Sequence, residues 1–200
     1  MTWTESSERG RIMEAASHCL ATGERRGVSV TDILAASGLS TRAFYRHFRS
    51  KDSLLLAMFR RDYERVLAEL RDAAATACPR QALANWVEGM LRVATEAREG
   101  RRVMLLGSPD LASARGFTAE AARAATAHQA ALAEILRRGR DDGSFPLTDP
   151  EPDAKAIRAA LQETFTELLS GASTMSADDA AAEVTRFALR ALGAVPQPAS

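Results

Sequence analysis

The segment Ser29 to Phe48, SVTDILAASGLSTRAFYRHF, constrains the fold more tightly than any other stretch of the chain. Ser29 and Ser40 each precede a short run with helical spacing. Serine is a favoured N-cap because its side-chain oxygen accepts from a free backbone N–H. Gly38 lies where the first run must stop and the chain reverse, and glycine accepts the left-handed backbone that other residues resist. Ile33 and Leu34 can pack inward from the first helix, Leu39 fills the corner, and Phe44 and Phe48 return from the second at i,i+4 spacing. Two short helices locked by one apolar corner form a helix-turn-helix.

Composition favours helix in the rest of the chain too. Ala, the best helix former, supplies 40 of the 200 residues, while Gly and Pro, the poorest, supply 12 and 7. Punctuation by capping residues, Gly and Pro predicts nine helices, over about 7–22, 30–37, 41–49, 51–77, 80–99, 101–106, 117–138 (starting as early as Leu111), 151–170 and 177–192. Asp149 reads as a cap ahead of Pro150, and Ser176 as a cap with Asp179 three residues on. No run reads as a strand. The expectation is an all-α fold. Residues 196–200 read as a disordered tail.

Lys+Arg and Asp+Glu both number 26, which excludes a globally basic coat for nucleic acid but not a local patch. Residues 38–61 hold six basic side chains (Arg42, Arg46, Arg49, Lys51, Arg60, Arg61) against one acid, Asp52. On charge alone, an ordinary solvated helix face explains these arginines equally well. Helix geometry adds more. With Phe44 and Phe48 turned to the core, Arg42, Arg46 and Arg49 fall on the opposite side, flanked by Ala43 and Tyr45. Thr41, Arg42, Ala43 and Arg46 are the candidates for base edges, since Arg donates in bidentate fashion to guanine and a small residue permits close approach to the groove. Ser29, Ser40, Tyr45, His47, Arg49 and Lys51 are the candidates for phosphate contacts.

The run SGLSTRAFYRHFRSKDSLLLAMF resembles the signature of TetR-type (tetracycline-repressor-like) transcriptional regulators. The family pattern is Ala-Gly-Val-Ser, a few variable residues, Phe/Leu-Tyr-x-His/Tyr-Phe, a short gap and Lys-Asp/Glu-x-Leu. Here it stands as Ser37-Gly38-Leu39-Ser40, Phe44-Tyr45-Arg46-His47-Phe48 and Lys51-Asp52-x-Leu54. Ser37 replaces Ala, Leu39 replaces Val, and Arg42-Ala43 stands where Gly-Thr/Ser is common. The last departure alters the surface that faces bases, so no other member's operator carries over.

The resemblance implies a three-helix DNA-binding domain carrying the helix-turn-helix over 1–50 and a helical effector-binding and dimerisation domain over 51–195, linked by the helix at 51–77. It further implies a ligand-responsive regulator, expected to be a repressor, that binds a pseudo-palindromic duplex operator as a homodimer and is released by a small-molecule effector. Activation stays open, because the sign depends on where the operator lies. The implied dimer uses the last two helices, whose stripes are Ile157, Leu161, Phe165 and Leu168, then Val184, Phe187, Ala188 and Ala191. Burial within one chain explains those stripes equally well. The implied pocket among the middle helices has Trp86, Met90, Met104, Phe117, His128 and Phe165 as candidate walls. Ordinary core packing explains them too. Few charges on the inner faces point to an apolar effector, aromatic or cationic.

Other chemistries lack a foothold. His18, His47, His128, Cys19 and Cys78 form no H-x-x-x-H or C-x-x-C pair, and no nucleophile elbow or phosphate loop occurs. The expectation is a non-enzyme without metal or resident cofactor. Nothing reads as a secretory signal or a membrane-spanning run, so the expected location is the cytoplasm and no membrane partner is expected.

Overall fold

The computed structural model describes residues 8–22, 27–98 and 108–194. Within them lie nine helices and no strand: α1 (Glu8–Thr22), α2 (Val30–Ser37), α3 (Thr41–His47), α4 (Lys51–Ala75), α5 (Pro79–Arg98), α6 (Pro109–Ala112), α7 (Phe117–Asp141), α8 (Pro150–Ser170) and α9 (Ala177–Ala191). The expected helix at 101–106 and the tail lie outside the described residues. The sixth described helix is the single turn at Pro109–Ala112, which also accounts for the helical signal near Leu111.

Local chemistry sets most of the ends. Ser29 and Asp32 make a reciprocal capping box at α2, and Gly38 ends it at φ 65°, with its N–H donating to Leu34 O. α3 is two residues shorter than expected because Phe48 is extended (φ −136°, ψ 125°). Asp149 precedes α8 without a side-chain cap. Asp153 reaches back instead, accepting from Asp149 N at 2.8 Å and from Thr148 Oγ1 at 3.0 Å. Ser176 caps α9 as expected, accepting from Asp179 N at 3.1 Å.

The chain divides into two compact units that part after Tyr63, within α4. The N-terminal unit also takes in 100–122. The reason is burial: Leu54, Leu55, Met58 and Phe59 of α4 are core residues, and Phe59 meets Phe117 edge-on at 5.5 Å. Within this unit α1 packs on α2 and α3. The core gathers Ile12, Met13 and Ala16 of α1, Ile33 of α2, and Phe44 and Phe48.

The C-terminal unit covers 64–99 and 123–200. In it α5 packs on α8 and α9, and α8 packs on α9. Leu83, Trp86, Val87 and Leu91 of α5 are buried, as are Ile157, Leu161, Phe165 and Leu168 of α8 and Val184 and Ala188 of α9. Six of the eight residues expected at a dimer interface are therefore this unit's own core. Their periodicity reports a buried face, and the helices of the same chain do the burying. Of the eight, only Phe187 and Ala191 are exposed.

Candidate nucleic-acid interface

A seven-residue helix such as α3 has little stability of its own, so its neighbours must place it. Ser40 Oγ accepts from Ala43 N at 3.2 Å, which fixes its first turn. Phe44 is fully buried and packs against Phe48 at 5.9 Å between ring centroids. Arg11 of α1 donates to Ser37 O at 2.7 Å, tying down the end of α2. The Arg9 guanidinium lies 5.2 Å over the Phe48 ring.

The opposite face is open. Thr41, Arg42, Tyr45, Arg46 and Arg49 are exposed, as are the capping residues Ser29 and Ser40. Ala43 is a correction: it is 5 % exposed and belongs to the core side. One residue before Phe44, its Cβ turns toward the packed side of α3, and it cannot approach a base edge.

Sequence reasoning missed the acids that meet these cations. Arg46 Nη1 lies 2.9 Å and His47 Nε2 3.0 Å from Glu8 Oε2. The hydrogen bond from His47 holds the Glu8 carboxyl below its ordinary value. Partial burial opposes this, and the Arg46 charge assists it. Lys51 Nζ lies 2.7 Å from Asp110 Oδ1, and the other oxygen of Asp110 accepts from Val28 N at 2.7 Å. Burial pushes the Asp110 carboxyl up, but the bonds from Lys51 and Val28 outweigh it and leave it below the usual range. Buried Glu120 takes a bidentate pair from Arg60, both contacts at 2.7 Å. Among the described residues no carboxylate pairs with Arg42 or Arg49.

Lys51 thus ties the start of α4 to α6 and to the chain ahead of α2, where a free phosphate contact was expected. Lys51→Ala is expected to destabilise the N-terminal unit by about 1–3 kcal/mol, because the Asp110 carboxylate loses its charged partner. It should change the salt dependence of DNA binding little. Urea unfolding together with a salt titration of DNA affinity checks both.

Of the six expected pocket residues, four (Trp86, Met90, His128 and Phe165) lie in the C-terminal unit. Phe117 belongs to the N-terminal unit, and Met104 lies outside the described residues. Trp86 and Phe165 are core residues of the C-terminal unit, and Met90 is half-buried there. The Trp86 ring meets the His128 imidazole edge-on at 5.7 Å. Two surface grooves run along α9, and none of the six candidates lines either one.

Burial, then the charges of Arg71 and Arg158, push the His128 imidazole down to about 4. An unfolded imidazole titrates near 6.5. Below that pH the unfolded chain takes up a proton that the folded chain refuses. Stability present above pH 6.5 is therefore lost as pH falls, by about 2 kcal/mol at pH 5 and about 3 kcal/mol at pH 4. Urea midpoints of wild type and His128→Gln between pH 7.5 and 5 check this: the variant should show a shallower loss by that amount.

Two further observations bear on other roles. Among the described residues no three His, Cys, Asp or Glu side chains group as metal ligands. None of the described helices is long and apolar enough to cross a membrane.

With this geometry in place, comparison with known proteins points to one family. The sequence pattern of the bacterial regulatory proteins of the tetR family matches residues 12–58, which span α1 through the first turns of α4. The N-terminal segment of the chain carries the TetR-type regulatory pattern. The TetR-type helix-turn-helix is a DNA-binding element, and α2 and α3 are its two helices here. The chain is 28 % identical over 144 residues to an HTH-type transcriptional repressor of Mycobacterium tuberculosis, Rv1474c, a match covering 68 % of this chain and 72 % of that protein. Its fold is similar to that of a regulatory protein of the tetR family from Rhodococcus RHA1, with TM-score 0.69, 24 % identity, and coverage of 96 % of this chain and 100 % of that one. It is also similar to the TetR-family regulator PfmR of Thermus thermophilus, with TM-score 0.65, 25 % identity, and coverage of 90 % and 97 %.

Proposed function

We propose that this chain is a TetR-type regulator, a cytoplasmic homodimeric repressor that binds a pseudo-palindromic operator and is released by a small-molecule effector, acting by binding and not by catalysis. The observation that carries the reading is the outward face of α3, where Arg42, Tyr45, Arg46 and Arg49 are exposed while Phe44 anchors the helix from behind. Arg42 and Arg46, with Thr41, serve base edges. Tyr45, His47 and Arg49, with the capping serines, serve phosphates. Two copies of α3 entering successive major grooves require half-site centres about 34–36 Å apart, or a multiple of that.

The outer face of α8 and α9 supports dimerisation. A groove of about 460 Å³ runs there between Ala160 and Thr164 on one side and Val184 and Phe187 on the other. Phe187 is 48 % exposed and Met175 40 %. The Phe187 side chain lines this groove, and a second copy would bury it. Phe187→Glu is expected to shift sedimentation from dimer to monomer, and an unchanged sedimentation coefficient would exclude this face.

Repression finds support in the name of the mycobacterial relative. Release by an effector rests on the family resemblance. α4 is one continuous helix with residues in both units, and on this reading release is a two-state equilibrium. A ligand shifts that equilibrium only by its differential affinity for the two states. Arg71 and Arg158 lie near His128, and Arg158 Nε is buried without a hydrogen-bond partner. These charges weigh against a cationic effector in that part of the unit and favour a neutral or anionic one.

The test is selection of genomic fragments by the purified full-length protein. It should enrich one inverted repeat with the stated spacing. Enrichment of no common sequence, or of a single unrepeated site, contradicts the reading.

A further inference from the structure

Glu8 stands at the start of α1, 38 residues before Arg46 in sequence, yet its Oε2 atom receives both Arg46 and His47. Arg46 and Glu8 are partly open to solvent, with side chains 59 % and 39 % exposed, and His47 is 25 % exposed. In encounters where Arg46 reads no base edge, two nitrogen donors about 3 Å from one anionic oxygen are what a DNA phosphate oxygen asks of a protein surface. That seat lies on the recognition helix, and a carboxylate of the same chain fills it. Arg42 and Arg49, on the same helix face and just past its end, have no such occupant among the described residues.

We propose that Glu8 is a built-in counter-anion of the recognition helix: it occupies the seat formed by Arg46 and His47, and duplex DNA docks there by putting one of its own oxygens in place of the carboxylate. The proposal rests on the DNA-binding reading above and assigns Glu8 a role in setting affinity. An exposed ion pair is weak, so a DNA oxygen displaces it at small cost. The exchange still makes every encounter carry that cost, and it keeps Arg46 neutralised until a duplex arrives. Encounters with arbitrary sequence, which depend almost wholly on phosphate contacts, lose the largest fraction of their affinity. Glu8 therefore lowers non-specific binding and leaves Arg42 and Arg49 as the cations first available to the backbone.

The experiment measures fluorescence anisotropy of a labelled mixed-sequence duplex of about 30 base pairs with the full-length protein over a range of salt. Glu8→Gln keeps the shape of the side chain and removes its charge. It is expected to bind roughly two- to fivefold tighter than wild type, and its log–log salt slope should steepen by up to about one. Glu14→Gln removes an exposed α1 carboxylate that meets neither donor and is expected to match wild type. In an Arg46→Ala background the gain from Glu8→Gln should shrink, as a double-mutant cycle requires of two coupled residues. Equal or weaker binding by Glu8→Gln overturns the proposal and leaves DNA binding intact. So does an equal gain from Glu14→Gln. If wild type binds no duplex at low salt, the DNA-binding reading itself fails.

Discussion

Phe44→Ala is expected to destabilise the protein by about 3–5 kcal/mol and to abolish specific DNA binding at temperatures where wild type is folded. Phe44 is fully buried, and its ring meets Tyr45 edge-on at 5.3 Å and Phe48 at 5.9 Å. Removing the ring leaves a cavity behind a helix of only seven residues, which has no other apolar anchor of that size. The melting temperature should fall on the order of 10 °C for a chain of this length. A thermal melt followed by circular dichroism gives the answer. A variant that melts with wild type would show that α3 is held by something other than this corner.

The second large effect falls on recognition and leaves stability alone. Arg42→Ala and Arg46→Ala are each expected to weaken operator affinity by about 1–3 kcal/mol and to relax base preference. Both side chains are exposed, so unfolding midpoints should stay within about 0.5 kcal/mol of wild type. Arg42 is the cleaner probe because no described carboxylate pairs with it, whereas Arg46→Ala also strips Glu8 of its guanidinium partner. Operator affinity and base preference measured by anisotropy on single-substitution duplexes check the pair. Unchanged affinity in both variants would remove α3 from the interface.

The reading head was legible because everything that shapes it is local. Ser29, Gly38, Ser40 and the apolar corner sit within twenty residues, and each acts through a cap, a positive φ or i,i+4 contact. The departures involve partners distant in sequence. Nothing in the order of residues announces that Glu8 meets Arg46, that Asp110 meets Lys51, or that Glu120 takes Arg60. Charge counting in 38–61 treated these cations as equivalent, and their partners separate the paired ones from Arg42 and Arg49. The stripes of α8 and α9 were also visible, but a stripe at helical period records only that a face is buried. Here α5 buries most of it. Ala43 sits at the edge between the two faces of α3, where helical angles alone decide poorly, and its burial puts it on the core side.

The most direct measurement is the affinity of wild-type protein for a selected genomic duplex and for a shuffled duplex of equal length, each titrated across salt. A dimer that reads bases through α3 and seats on phosphates predicts at least about a thousandfold preference for the selected sequence. Affinity for both should fall steeply and linearly on log–log axes as salt rises. Equal affinity for the two duplexes, or retention indifferent to salt, would contradict it.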